Sequence, residues 1–221
     1  MGLPKYEGVS NGKVKMIKNI IFDVGEVLLG YHWQYVFEQA GLSYEEGNRI
    51  GQALFADELW ETLDLGNMSH AEVKEAYQKK FPKDADAIGF FFDRADLMQI
   101  ERPEVWERVG RLKEKGYGIY LLSNYSEVLF QTHTRGASFL EVIDGAVISY
   151  QVHVTKPDQR IYQILMQKYE LKPKECLFFD DRKENTRAAE ALGIQAVTVQ
   201  SEEHLLGELD GLLVEDDEYN I

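Results

Sequence analysis

The chain has a single cysteine among its 221 residues, Cys176, so no intrachain disulfide can staple it. A lone thiol at the start of an apolar run reads as a small core residue rather than a nucleophile, and it fits a reducing cytosol. Positive charge is scarce: 24 Lys and Arg face 38 Asp and Glu, a formal charge of −14. An acidic chain is a poor general binder of nucleic acid or anionic membrane, so neither is expected as a partner. No apolar run approaches the ~18–20 residues of a membrane span, and the first sixteen residues contain no apolar stretch of the secretory kind. A cytoplasmic protein is therefore expected, and its acidic surface permits a monomer. The five histidines form no His-Glu-x-x-His zinc pattern, and Gly116-Tyr117-Gly118 precedes an apolar run rather than following one, so it fails the dinucleotide fingerprint. Repeats and low-complexity tracts are absent.

What is present is enough to build a core. Hydrophobic residues make up 44% and aromatics 12% of the chain, which suits one domain or one domain with an insertion. Residues 1–15 are polar and read as a loose tail, with Met16 a possible alternative start. Ile17–Phe22 reads as a buried strand ending at Asp23. From about Tyr31 to Arg102 apolar residues recur three or four apart, over Trp33–Ala40, Tyr44–Leu54, Asp57–Leu63 and Ser69–Lys80. Ser43 with Glu46 and Ser69 with Glu72 have capping-box spacing. The segment reads as an all-helical insert, with Phe90-Phe91-Phe92 as core packing rather than a ligand wall.

After Pro103 the pattern alternates. Helices are expected over Glu104–Lys115, Ser126–Arg135, Pro157–Tyr169 and Lys183–Leu192, the third with Ile161, Ile164, Leu165 and Lys168 on one face. A further helix is expected from Ser201, before an acidic run over Glu215–Glu218. Strands are expected over Tyr117–Leu122, Ala146–Ser149, Cys176–Phe179 and Ala196–Val199. Strands alternating with helices give a parallel sheet covered on both faces.

Three of these strands end in chemistry: at Asp23, at Ser123, and at Asp180-Asp181. Ligands of open α/β sheets bind beyond the carboxyl ends of the strands, so these groups can meet although far apart in sequence. Each alone has a plain structural reading as a turn or cap residue. Adjacent carboxylates after Leu177-Phe178-Phe179 are more telling, because like charges repel and a divalent cation would relieve them. Lys156, before Pro157, could bring a positive charge to the same edge.

The joint pattern resembles the haloacid dehalogenase superfamily, over most of residues 17–200. The motifs are Ile21-Phe22-Asp23-Val24-Gly25-Glu26-Val27-Leu28-Leu29, Leu121-Leu122-Ser123-Asn124, Thr155-Lys156-Pro157-Asp158, and Phe178-Phe179-Asp180-Asp181-Arg182-Lys183-Glu184-Asn185. The insert is similar to the small helical cap of the β-phosphoglucomutase-like branch. The Asp-x-Gly start and Asp-Asp-Arg-x-Glu-Asn ending resemble the subgroup holding bacterial α-D-glucose-1-phosphate phosphatases. The resemblance implies a Rossmann-like, doubly wound parallel α/β core over residues 16–31 and 104–221, with an α-helical cap over 32–103.

The resemblance also implies a reaction. Asp23 would be the nucleophile of a Mg²⁺-dependent phosphohydrolase, forming an aspartyl-phosphate from a small phosphorylated metabolite, such as a sugar phosphate. Asp23, the Gly25 carbonyl, Asp180 and Asp181 would surround Mg²⁺, with Asn185 orienting that shell. Ser123, Asn124 and Lys156 would contact the phosphoryl group. One departure stands out: many family phosphatases carry a general acid/base Asp two residues after the nucleophile, and here Gly25 stands there. His32 or a carboxylate from the insert could substitute; His32-Trp33 also reads as a hinge and packing pair. Three other readings stay open: a phosphosugar mutase, a metal-independent 2-haloacid dehalogenase, and a phosphate-binding protein without turnover. Dehalogenases of this family usually place an aromatic side chain where Gly25 stands.

Overall fold

A computed structural model describes residues 17–215. The expected tail over residues 1–15, Met16 and the acidic residues 216–218 lie outside the described residues. The strands are β1 (Asn19–Phe22), β2 (Leu29–Tyr31), β3 (Gln99–Glu101), β4 (Gly118–Ser123), β5 (Gly145–Ile148), β6 (Cys176–Asp180) and β7 (Gln195–Thr198). The helices are α1 (Trp33–Gln39), α2 (Tyr44–Phe55), α3 (Glu58–Asp64), α4 (His70–Lys80), α5 (Ala85–Asp93), α6 (Pro103–Glu114), α7 (Glu127–His133), α8 (Ser149–Val152), α9 (Gln159–Lys168), α10 (Lys183–Ala191) and α11 (Glu202–Glu215).

Five strands form one sheet in the order β5-β4-β1-β6-β7, and every pair in it is parallel. Side chains alternate across the sheet because the strand period is two. Ile20 and Phe22 join the core shared with α6 and α11, while Ile21 joins Phe178 in the core shared with α9 and α10. Helices thus cover both faces, as a Rossmann-like doubly wound sheet requires. The stripe of α9 is rotated from its expected position: Ile161, Tyr162, Leu165 and Met166 are its buried residues, and Lys168 lies outside them. That helix starts after Pro157, at Gln159, because the Asp158 side chain caps it by accepting from the Arg160 amide at 2.9 Å. Cys176 opens β6 fully buried, and burial pushes its thiol up to about 11, which leaves it inert at neutral pH.

The segment between β2 and β3 is helical, α1 to α5, and both Ser capping boxes form as the sequence suggests. The expectation of an all-helical insert misses the short antiparallel ribbon at its root, where Leu29, Gly30 and Tyr31 pair with Glu101, Ile100 and Gln99. These strands have only three residues each, too few to show an alternating pattern. Among the described residues, no helix is long and apolar enough to cross a membrane.

The phenylalanine triplet divides. Phe91 and Phe92 are buried, whereas Phe90 is half-buried and lines a surface cavity with Leu42, Arg49 and Ala87. Phe91 stacks on Phe37 with centroids 4.9 Å apart and meets Phe55 edge-on at 6.1 Å. Phe91→Ala is expected to lower the unfolding free energy by about 3–5 kcal/mol, through lost transfer energy and the cavity left behind. Phe90→Ala is expected to cost clearly less. Urea titration of both variants measures the difference.

Candidate active site

The parallel register sets the site. β1 lies between β4 and β6, with Phe22 opposite Leu121 on one side and Phe179 on the other. The next residue, Asp23, therefore emerges level with the ends of both neighbours, and its amide donates to the Phe179 carbonyl at 2.9 Å. β4 ends at Ser123 and β6 at Asp180. The sheet thus brings together the three strand-end groups that the sequence singled out.

Lys156 reaches them from the loop between α8 and α9. Its ammonium lies 2.9 Å from Asp23 Oδ1 and 2.6 Å from Asp180 Oδ2, and donates to the Leu122 carbonyl at 2.9 Å. The lysine head group is 1% exposed, so all three of its donors are engaged by protein in a nearly dry site. Asn124 fixes the loop: its Oδ1 accepts from the Lys156 amide at 2.7 Å and its Nδ2 donates to the Lys156 carbonyl at 3.0 Å. The Asn124 side chain, expected at the phosphoryl group, is thereby committed to the Lys156 backbone. Ser123 Oγ donates to Asp23 Oδ1 at 2.6 Å, and the Val24 amide donates to the same oxygen at 2.7 Å.

The charges here are crowded. Burial, with the Asp180 and Asp181 charges, pushes Asp23 up to about 7 against the pull of Lys156. Burial, then the charge of Asp180, pushes Asp181 up to about 6. For Lys156 burial acts to lower the pKa, but the charges of Asp23 and Asp180 outweigh it and hold the pKa above its usual value. Carboxylate oxygens of Asp23, Asp180 and Asp181 all lie within 4.8 Å of one another. One ammonium does not balance three carboxylates. The donor set is all hard oxygen, which suits a small divalent cation. Asn185 adds to the fit. Its Nδ2 donates to both Asp180 oxygens, at 2.9 and 3.1 Å, while its buried Oδ1 has no protein donor and can accept from a water of a cation's shell.

Several residues beside the site escaped the sequence reading. Asp64 ends α3, and its carbonyl accepts from Ser149 Oγ at 2.6 Å. Burial, then the charge of Asp23, raises its carboxyl to about 7, so the helical segment brings one acid within the field of the nucleophile. Nothing in the sequence marked Asp64 among the acids of that segment. Tyr31 and Tyr125 lie close to Gly25 and Asp23, and Glu26 is engaged with Arg102. The structure corrects the expectation for His32: its ring is exposed and stacks on Tyr35, 5.9 Å between centroids, while Tyr31 is the side chain that abuts Gly25.

Several known proteins are similar to this chain. A D-ribitol-5-phosphate phosphatase of Bacteroides thetaiotaomicron is 26% identical over 213 residues, covering 81% of this chain and 90% of the relative. Mouse acyl-CoA dehydrogenase family member 10 is 31% identical over 132 residues, which are 57% of this chain but only 12% of the mouse protein. A HAD family enzyme of Bacteroides thetaiotaomicron, solved with magnesium and inorganic phosphate, superposes with a TM-score of 0.69 at 21% identity, over 84% of this chain and 95% of that one. The profile of haloacid dehalogenase-like hydrolases matches residues 17–193, all three strand-end groups and Lys156 included, and the chain belongs to that family of hydrolases.

Proposed function

We propose that the protein is a Mg²⁺-dependent phosphohydrolase that cleaves a small phosphorylated metabolite through an aspartyl-phosphate on Asp23. The observation that carries this reading is the Lys156 ammonium held between Asp23 and Asp180, with Ser123 on the same Asp23 oxygen. In-line attack on phosphorus needs a carboxylate fixed in direction and a positive field around the outer phosphoryl oxygens. Ser123, the Val24 amide and Lys156 fix the direction of Asp23. Ser123 and Lys156 then turn part of their donor capacity to the phosphoryl group. Asp23, Asp180, Asp181 and the Gly25 carbonyl would hold Mg²⁺, with Asn185 orienting its waters. When bound, the cation neutralises charge on the transferring group and lets an anion approach an acidic edge. The phosphatase named among the relatives, and the similar enzyme solved with magnesium and phosphate, support the reading.

Residues 32–103 would act as a cap, closing over the site and reading the leaving group, with 16–31 and 104–221 as the core. Helices α1 to α5 between the two strands of the ribbon support that division. The buried free thiol and acidic composition fit a cytoplasmic enzyme.

A second reading, the metal-independent dehalogenase, gains one observation: the Tyr31 ring fills the space beside Gly25, where such enzymes are expected to place an aromatic group. It leaves the three-carboxylate cluster without a purpose, which ranks it second.

Wild-type protein is expected to release phosphate from p-nitrophenyl phosphate and from members of a metabolite panel only with Mg²⁺. Asp23→Asn is expected to lose roughly 10⁴-fold or more in kcat. Halide release from 2-chloropropionate without metal, and no phosphate release, would instead favour the dehalogenase. Separately, Mg²⁺ is expected to raise the melting temperature of the wild type through preferential binding to the folded state, and to shift Asp181→Asn much less. Scanning calorimetry with and without Mg²⁺ reads this without any substrate.

A further inference from the structure

Cleavage of an alkyl phosphate needs a proton at the departing oxygen, and Gly25 has no side chain to deliver one. The backbone there faces a proton carrier instead. A Cβ built on Gly25 would lie 2.9 Å from Tyr31 Cε2 and 3.3 Å from Tyr31 Oη. The phenol thus occupies the volume that a longer residue 25 would take. Its position is fixed by the turn after the nucleophile, where the Leu28 and Leu29 amides both donate to the Val24 carbonyl at 2.9 Å. Glu26 adopts a left-handed φ of 53° within that turn. Its carboxylate accepts from the Tyr31 amide at 3.2 Å and pairs with Arg102 at 3.2 Å, while Arg102 also donates to the Glu26 carbonyl at 2.7 Å.

Behind Tyr31 runs a chain of hydrogen bonds. Tyr31 Oη bonds to Tyr125 Oη, which lies 2.9 Å from His133 Nδ1, and His133 Nε2 lies 2.9 Å from the Ala95 carbonyl. His133 is 1% and Tyr125 6% exposed, so the chain is shielded from water. Its direction follows from donor counting. A carbonyl only accepts, so His133 Nε2 carries hydrogen. Burial lowers the His133 pKa and favours a neutral ring, whose Nδ1 then accepts from Tyr125. Tyr125 has no second hydrogen, so it accepts from Tyr31, and lone pairs of Tyr31 Oη stay free. Each of the three side chains thus has a hydrogen-bond partner, as a buried network requires. Burial first, then the Asp23 and Glu26 charges, hold the Tyr125 hydroxyl well above its usual value, which places the chain in the field of the nucleophile.

We propose that Tyr31 is the catalytic acid and base that replaces the side chain absent at Gly25, with Tyr125 and His133 orienting its hydroxyl. The inference rests on the phosphohydrolase reading. In the first half-reaction the bond from Asp23 Oδ to phosphorus forms and the bond to the leaving oxygen breaks. Tyr31 gives its proton to that oxygen, and Tyr125 turns its hydrogen from His133 Nδ1 to the Tyr31 phenolate. In the second, water forms a bond to phosphorus as the Asp23 oxygen departs. The water proton passes to the Tyr31 phenolate, and Tyr125 turns its hydrogen back to His133 Nδ1. One proton is lent and recovered in each turnover. Tyr31 abuts Gly25, two residues from the nucleophile, whereas Tyr125 and His133 act through it.

The experiment compares kcat/KM for an alkyl phosphate and for p-nitrophenyl phosphate, whose leaving group departs without a proton, in Mg²⁺-loaded full-length enzyme. Tyr31→Phe keeps the ring and is expected to lose about 10²–10³-fold on the alkyl ester but under about tenfold on the aryl ester. It is also expected to show a burst of p-nitrophenol, because hydrolysis of the aspartyl-phosphate slows. Tyr125→Phe leaves the Tyr31 phenol in place and is expected to give the same leaving-group pattern more weakly. A steric swap adds an independent check: Tyr31→Ala with Gly25→Asp is expected to recover alkyl turnover relative to Tyr31→Ala alone. Equal losses on both esters in Tyr31→Phe would overturn the proposal. So would a leaving-group-dependent loss in Asp64→Asn with none in Tyr31→Phe, which would give the role to the acid at the end of α3. No turnover of either ester by wild type would remove the phosphohydrolase reading itself, a result distinct from both.

Discussion

Everything at this sheet edge is organised around one buried ammonium. Lys156 sits between Asp23 and Asp180 with almost no exposure, and its third donor is taken by the carbonyl of Leu122. Burying a charge costs several kcal/mol, and two buried carboxylates would cost more, so none of the three is stable there alone. Held together, they tie the loop before α9 to the ends of β1 and β6, which the parallel register already sets side by side. Asn124 adds a fourth by bracketing the backbone of Lys156 from both sides, which ties the end of β4 to the same point. Such a constellation is poor as a device for stability, since an apolar core would serve that purpose better. It is well suited to holding a carboxylate in a fixed direction under an excess of negative charge.

That excess is what makes the edge specific. Asp23, Asp180 and Asp181 have one lysine among them, and both Asp23 and Asp181 sit well above the ordinary carboxylate range. A free phosphate would be repelled by such a group of acids. A divalent cation bound as proposed would reverse the local sign and make the approach of an anion favourable. The acidic surface of the whole chain then ceases to be a contradiction, because the relevant field is set within a few ångströms of Lys156.

How far the sequence alone could go follows from the length scale of each feature. The strands of the main sheet were legible because each is a short apolar run closed by a polar residue, and Asp23, Ser123 and Asp180 are those closing residues. The capping boxes at Ser43 and Ser69 were legible because four consecutive positions contain both partners. The ribbon of β2 and β3 was not, since Leu29 and Glu101 are far apart in the chain and each strand is too short for periodicity to register. Asn124 was recognised beside Ser123, but its partnership with the Lys156 backbone depends on tertiary contact. Tyr31, Tyr125 and His133 were missed for the same reason: each alone is an ordinary aromatic residue, and only the fold aligns their polar atoms. The sequence offered His32 or a carboxylate of the insert as a substitute, yet the His32 ring is exposed and its neighbour Tyr31 abuts Gly25.

In the proposed reaction the two demands of the chemistry fall to different parts of the chain. Fixing phosphorus and its charge falls to the ends of β1, β4 and β6, which are rigid because the sheet is buried on both faces. Handling the departing group falls to Tyr31, which belongs to the ribbon, and to His133, whose Nε2 is anchored to the carbonyl of Ala95 at the far end of the helical segment. The ribbon is also where the chain enters and leaves α1 to α5. Those helices touch both the strands that set the position of Tyr31 and, through the Asp64 and Leu65 carbonyls bonded to Ser149 and His153, the segment that leads to Lys156. The helical segment is therefore in contact with both groups of residues, so a reading of the leaving group by those helices would act on the two together.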